Sequence, residues 1–218
     1  LLINMPLRES APPNCAPLGP ALLASRLREF GADVSILDLN AYRVKDVLSE
    51  SRGLTAGRHL TMGEADAKLA RHMGVHGDPH LVGLSGKITT LRWQRHVART
   101  VRAFCPGTLL VSGGGLATEF RAGLFNWIPE LDGVCHSEGD DVIVKIARDA
   151  QAIHRLGREG AAMGGQLDPY LRSYDNGILR LVYEGNRPLD LDALPLPAWD
   201  LLERDVDGFP ILESYIRN

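Results

Sequence analysis

Two segments of this chain place small hydroxyl residues and glycines where an apolar run gives out. Ser85-Gly86-Lys87-Ile88-Thr89-Thr90 follows Leu81-Val82-Gly83-Leu84, and Ser112-Gly113-Gly114-Gly115 follows Leu109-Leu110-Val111. At a strand-to-helix junction such residues leave backbone amides free for phosphate or other polar ligand groups. Three successive glycines add close backbone approach, which a bulky ring system lying against a sheet requires. The competing readings are a tight strand-to-helix turn for the glycines and a helix N-cap for Thr89. Lys87 suits either a phosphate partner or plain solvation. Two further polar segments stand at comparable places: Asp38-Leu39-Asn40-Ala41-Tyr42-Arg43 after Val34-Ser35-Ile36-Leu37, and His136-Ser137-Glu138-Gly139-Asp140 after Gly133-Val134-Cys135. The second of these suits ligand contact and a capped helix start equally well.

The elements that must position these segments form an alternating pattern. Strands are expected over residues 1–4, 34–37, 81–84, 109–111 and 133–135, and helices over 18–30, 64–73, 89–104, 118–127 and 140–156. Strand and helix in alternation predict a parallel sheet, with Gly31 and Pro106 closing two of the helices. Ligands of such sheets bind outside the carboxyl ends of the strands, so the polar segments would share one crevice. Residues 5–17 read as a long Pro-rich loop, and 40–63 has only weak periodicity. Residues 160–165 read as a surface loop of small residues. Ile178-Leu179-Arg180-Leu181-Val182-Tyr183 alternates and meets Glu184-Gly185-Asn186 as part of an antiparallel hairpin, and Leu194-Pro195-Leu196-Pro197-Ala198-Trp199-Asp200 reads as a stiff linker to another domain. The expected fold is α/β: a flavodoxin-like, Rossmann-like doubly wound five-stranded parallel sheet at residues 1–157, with a hairpin and linker at 158–218.

Composition narrows the function. A chain of 218 residues, 44% of them hydrophobic, can bury one α/β core plus an appendage. A formal net charge of −3 without like-charge runs argues against a nucleic-acid partner. Apolar runs are strand-length, far below the roughly 20 residues that span a bilayer, and no charged-then-apolar leader opens the chain, so a soluble, cytoplasmic protein without a membrane partner is expected. Three widely separated cysteines, Cys15, Cys105 and Cys135, fit a reducing compartment and form no metal-type pair. His72, His76 and His80 have the spacing of ligands on one helix face, but Gly74, Gly77 and Pro79 interrupt that helix and favour a solvent-facing loop. Trp93 and Trp127 are expected to pack, and Trp199 to dock the linker. Asp38 as a phosphoacceptor would want acidic residues at the first strand end, where Asn4-Met5-Pro6-Leu7 has none.

Seven pieces in this order resemble a known family: Leu1-Leu2-Ile3-Asn4-Met5-Pro6, Pro17-Leu18-Gly19, GADVSILD from Gly31, VGLSGKITT from Val82, GGGLAT from Gly113, SEGD from Ser137 and LPLPAWDL from Leu194. The chain resembles the cobalamin-binding domain that precedes the catalytic domain of B12-dependent radical SAM enzymes, methyltransferases among them. The resemblance implies that Ser85, Gly86, Thr89 and Thr90 meet the nucleotide tail of cobalamin and that Gly113, Gly114 and Gly115 line its channel. It further implies that Glu138 and Gly139 close the far side, and that Met5, Pro6, Leu7, Pro17, Leu18 and Gly19 face the corrin.

Two departures shape the expectation. The Asp, His and Gly of the wider cobalamin-binding signature fall on Asp38, Asn40 and Arg43, so the histidine that ligates cobalt is replaced by an amide, a poor donor for a late first-row metal. Base-off, His-off cobalamin with a weak or absent lower ligand is therefore expected. The cysteines also lack the CxxxCxxC spacing of a radical SAM cluster loop. S-adenosylmethionine and a 4Fe-4S cluster are thus expected only in a following radical SAM domain, with this chain as an excised binding module. The alternatives are a stand-alone B12 carrier or sensor and a degenerate doubly wound regulatory domain without corrin.

Overall fold

The computed structural model describes residues 1–7, 12–188 and 190–216. Of the Pro-rich loop read over residues 5–17, positions 8–11 lie outside the described residues. In chain order the elements are β1 (Leu2–Asn4), α1 (Leu18–Glu29), β2 (Ile36–Asp38), α2 (Val47–Ser51), α3 (Met62–His76), β3 (Leu81–Ser85), a 3-10 turn (Ile88–Thr90) and α4 (Leu91–Phe104). They continue with β4 (Leu109–Gly113), α5 (Gly115–Phe120), α6 (Leu124–Trp127), β5 (Gly133–Ser137), α7 (Val142–Met163), β6 (Leu171–Asp175), β7 (Ile178–Gly185) and α8 (Ile211–Ile216).

Among the described residues, seven strands form one sheet in the order β2-β1-β3-β4-β5-β7-β6. Its first five strands are parallel and carry the 2-1-3-4-5 order of flavodoxin-like folds, which changes direction between β1 and β3. Continuous apolar strands such as Leu109-Leu110-Val111 are buried on both faces, as a doubly wound sheet demands. One face packs α1 and α7 through Ala21, Ala24, Ile143 and Ile146 against Leu2 and Val111. The other packs α3 to α6 through Leu69, Val97, Val101 and Leu116 against Ile3, Val82 and Leu110. In α4 the buried Gln94, Val97, Ala98 and Val101 recur at the helical period that sets one face inward.

The hairpin differs from its expected form. Its turn is Asn176-Gly177, both with positive φ, and it precedes the alternating segment instead of following it. Asn-Gly is the favoured pair for a tight hairpin turn of this hand. The hairpin also extends the sheet: β7 runs parallel to β5, and β6 lies antiparallel outside it. The expected loop at 160–165 is helix as far as Met163, since α7 continues past a break at Gly157.

Residues 40–63 owe their order to polar caps. Asp46 caps α2 and Thr61 caps α3, each in a reciprocal capping box, with Ser49 and Glu64 respectively. Arg58 bonds both Asp46 and Glu64 and so ties the two helix starts together. The helix expected to stop at Met73, before a solvent-facing loop, instead runs on to His76, because α3 absorbs Gly74 and stops at Gly77. His72 is buried there, its Nε2 2.9 Å from Ser35 Oγ and its ring against that of His76. Burial, and secondarily His76, holds its imidazole down to about 4. Unfolding restores the ordinary value near 6.5, so the unfolded chain binds the extra proton between these limits. Stability is therefore expected to fall by up to about 3 kcal/mol as the pH drops from 6.5 towards 4. Thermal melts across that window should show the loss, and His72→Leu should flatten it; a flat wild-type profile would refute the assignment.

At the amino end of β5, Asp132 enters the strand with its carboxylate buried. Its oxygens accept from Arg102 of α4 at 2.7 Å, from Arg158 of α7 at 3.0 and 3.1 Å and from the Leu110 amide of β4 at 2.9 Å. Its backbone carbonyl accepts from Leu181 of β7.

Beyond the Pro-rich segment the chain folds back along the outer strand β2. Ala198 donates to the Ala21 carbonyl, Asp200 pairs with Arg28, Asp205 accepts from Tyr42 and Lys68, and Phe209 packs on the Tyr42 ring. Ala198, Leu202 and Ile211 are the buried anchors, whereas Trp199, the expected docking residue, stays about one-third exposed at 36%. Trp127 packs edge-on against the Phe120 ring yet stays half exposed. The wrap covers a strand edge that would otherwise offer unpaired backbone groups.

Candidate functional site

The carboxyl ends of β3, β4 and β5 converge, beside Leu2 of β1, on a cavity of about 280 Å³ between the sheet and helices α1 and α7. Its mouth is formed by Gly19, Ser85, Gly113, Gly114, Glu138 and Gly139, all residues singled out from the sequence. Its walls are mainly apolar: Leu2, Leu23, Leu84, Val111, Ile143 and Ile146, with the Cys135 thiol among them. Burial pushes that thiol up to about 12, so it stays protonated and acts as a small apolar group. The volume sits just under the about 300–1,000 Å³ of ordinary small-molecule pockets, enough for a flat bicyclic ring but not for a macrocycle.

The three glycines of the β4 end have separate roles. A Cβ on Gly113 would meet only the Cys135 carbonyl at 4.0 Å, so its missing side chain is cavity space. Gly114 has a φ of +78°, and a Cβ there would stand 2.9 Å from the Gly86 carbonyl oxygen; it is a packing glycine that seats the turn after β3 on the turn after β4. Gly115 opens α5 and faces the Lys87 backbone. Gly86 is buried by the same contact, and a side chain there would strike Thr90 Oγ1.

The β3 segment divides likewise. Ser85 borders the cavity, with its backbone carbonyl taken by the Met5 amide. Thr90 is buried and turned away, its hydroxyl closing on the Lys87 carbonyl at 2.8 Å. Lys87 and Thr89 are exposed, and the N-cap position expected of Thr89 belongs to Thr90 for α4. At the β5 end Ser137 adopts a φ of +66°, its amide held by Thr118 Oγ1, and so turns Glu138 and Gly139 across the mouth.

A second polar centre lies at the ends of β1 and β2. Asp38 Oδ1 accepts from Asn4 Nδ2 at 2.8 Å and from the Asn40 amide at 3.0 Å, and Oδ2 accepts from the Tyr215 hydroxyl. Asn40 Oδ1 accepts from the Leu7 amide at 2.9 Å, and Nδ2 donates to Tyr215 Oη at 3.3 Å. Burial pushes the Asp38 carboxyl above its ordinary range, against the pull of its three donors. Met5 is fully buried in the core below this centre and Pro6 is buried beside it; Leu7 is half-buried. Pro17 is buried at the start of α1, while Leu18 and Gly19 are exposed.

Sequence reasoning missed three contributors. Gly83 lines the cavity, and a Cβ there would press on Leu2; a glycine inside an apolar strand is the local sign of such a close approach. Gly185 at the end of β7 lets the Glu138 carbonyl sit where its Cβ would be. Tyr215 gives no local signal, because its partner Asp38 is 177 residues away. Among the described residues no three His, Cys, Asp or Glu side chains converge as a metal site, and no helix is long and apolar enough to cross a membrane. Cys15 is exposed, and Cys105 and Cys135 are buried apart from it. The chain matches no protein-family model and no curated protein.

Proposed function

We propose that this chain is a cobalamin-binding module that holds the cofactor base-off, as the partner of a radical SAM methyltransferase domain. The observation that carries the reading is the narrow apolar cavity behind Gly113, which has the size of a benzimidazole-type tail and opens at the carboxyl end of the sheet beside its switch point. A tail withdrawn into that cavity would have its flat ring between Val111 and the leucines of α1, with Ser85 and Glu138 at the mouth. The chemistry that cobalamin supplies when bound is methyl-group carriage at cobalt. This chain's residues would hold the tail, exclude water from it and set the surroundings of the lower face.

The Asn40 amide supports the His-off part of the reading. Both of its polar ends already have partners, Oδ1 the Leu7 amide and Nδ2 the Tyr215 hydroxyl, so the side chain braces a loop, and its amide is in any case a poor donor for a late first-row metal. The separated cysteines support assigning S-adenosylmethionine and the iron–sulfur cluster to a following domain.

Hydroxocobalamin added to the purified chain and followed by desalting tests the proposal. Retained colour with a base-off spectrum is expected. A colourless protein would remove the cobalamin reading and favour a regulatory domain without corrin, and a spectrum of histidine-ligated cobalt would remove the His-off assignment.

A further inference from the structure

The cavity behind Gly113 loses its polar groups with depth, and the strand register shows how. Ser85 of β3 stands level with Gly113 of β4, and both border the cavity. Two residues further in, Gly83 and Val111 stand level with Leu2 of β1, and beyond them comes Leu81. The alternation of a strand puts Leu81, Gly83 and Ser85 on one face of the sheet. Gly83 has no side chain to add, and a Cβ there would stand 2.8 Å from Leu2 Cδ2, so the leucine covers it. Ile143 and Ile146 of α7 close the helix side. The polar lining residues Ser85, Ser137, Glu138 and Asp140 all stand at or past the strand ends. Among the described lining side chains the one other heteroatom is the Cys135 sulfur, and a protonated thiol is a weak donor and a weak acceptor. Nor does the backbone supply partners, because Gly83 is paired into the ladders with β1 and β4, whose bonds lie in the plane of the sheet. A flat base seated here buries its inner edge without a hydrogen-bond partner. Carbon and methyl groups lose nothing by that, whereas a ring nitrogen or an amine gives up its water uncompensated.

We infer that this cavity selects its cofactor by the tail, taking a cobamide that ends in a benzimidazole-type base in preference to one that ends in a purine. The inference rests on the cobalamin reading and adds to it a choice between cofactors. A benzimidazole-type base presents carbon, and in the dimethyl form methyl groups, along the ring edge away from the ribose. A purine presents ring nitrogens and, in adenine, an exocyclic amine. Leaving one such group buried and unpaired costs about tenfold or more in affinity. Val111, in the inner row, is the side chain whose polarity sets the preference.

The test titrates three cobamides, with a dimethylbenzimidazole tail, with an adenine tail and with no tail, into wild type, Val111→Ala and Val111→Thr. Each Kd is corrected for the fraction of free cofactor whose tail is off cobalt, read from its spectrum without protein, because only that fraction can enter the cavity. Wild type is expected to prefer dimethylbenzimidazole to adenine by about tenfold or more and to bind the tail-less form more weakly than the dimethylbenzimidazole form. Val111→Ala, which opens space and adds no polar atom, should keep the preference. Val111→Thr, of similar shape but with a hydroxyl, should reduce it. Equal corrected affinity of wild type for the two tailed forms, or a tighter fit for adenine, would overturn the selection and leave the cobalamin reading intact, a comparison that needs no variant. A preference lost equally in Val111→Ala and Val111→Thr, or kept in both, would overturn it as well, by tracing the choice to something other than wall polarity. Equal binding of the tail-less and dimethylbenzimidazole forms would overturn it by putting the tail outside the cavity. Failure of wild type to bind any of the three would overturn the cobalamin reading and this inference with it.

Discussion

Gly113→Leu is expected to abolish cobalamin retention while leaving the fold in place. The substituted side chain would enter the cavity, because nothing nearer than the Cys135 carbonyl at 4.0 Å faces a Cβ at that position. An aromatic tail buries on the order of 150–250 Å², so at about 25 cal/mol per Å² its exclusion forfeits about 4–6 kcal/mol, roughly a thousandfold or more in Kd. Gly113→Ala, which the open space accommodates, should lose far less. The neighbouring Gly114 would give an ambiguous result: any side chain there strains a φ of +78° and strikes the Gly86 carbonyl, so lost binding could be lost structure. Equilibrium titration with hydroxocobalamin, alongside circular dichroism, reads the difference. Unimpaired binding by a folded Gly113→Leu protein would mean that the cavity holds no tail.

The largest effect on stability is expected from Asp132→Ala. One carboxylate there receives hydrogen bonds from α4, α7 and β4, and both guanidinium partners are mostly shielded from solvent. Removing one member of a shielded ion cluster leaves the others uncompensated, at a cost of about 3–5 kcal/mol. Urea unfolding should show this as a lower midpoint with an unchanged slope. A loss below about 1 kcal/mol would show that the cluster is solvated like an ordinary surface pair. Since the clamp lies at the amino ends of the strands, away from the cavity, tail binding by the surviving folded fraction should be unchanged.

The strand-helix alternation and the glycine-rich strand ends were legible in the chain because each is a local pattern. Apolar runs ending in Ser85 or Gly113 read as strands whatever lies beside them, and the sheet bears them out. What failed to read were features settled by distant partners. The Gly74 position looked like a helix breaker, yet α3 passes through it because the capping box at Thr61 starts the helix and the buried Leu69 and Met73 hold the turns that lead into it. The three glycines of the β4 end looked alike, and only their neighbours across the fold separate cavity space at Gly113 from packing at Gly114. Asn40 was legible as a missing histidine. That its amide is shared between Leu7 and Tyr215 depends on a residue near the other end of the chain.

The position of β7 between β5 and β6 has a consequence for how the molecule is assembled. β6 is synthesised first, but among the described residues its strand partner is β7 alone, so on leaving α7 it has no strand to join. The Asn176-Gly177 turn resolves this locally, since a hairpin closes in about 1–10 μs, far faster than the tenths of a second over which a ribosome adds the next few residues. The two strands are therefore expected to zip as a pair and dock as a pair, with β7 offering its free edge to β5. A substitution that weakens the turn should delay completion of the sheet more than it lowers the stability of the finished protein.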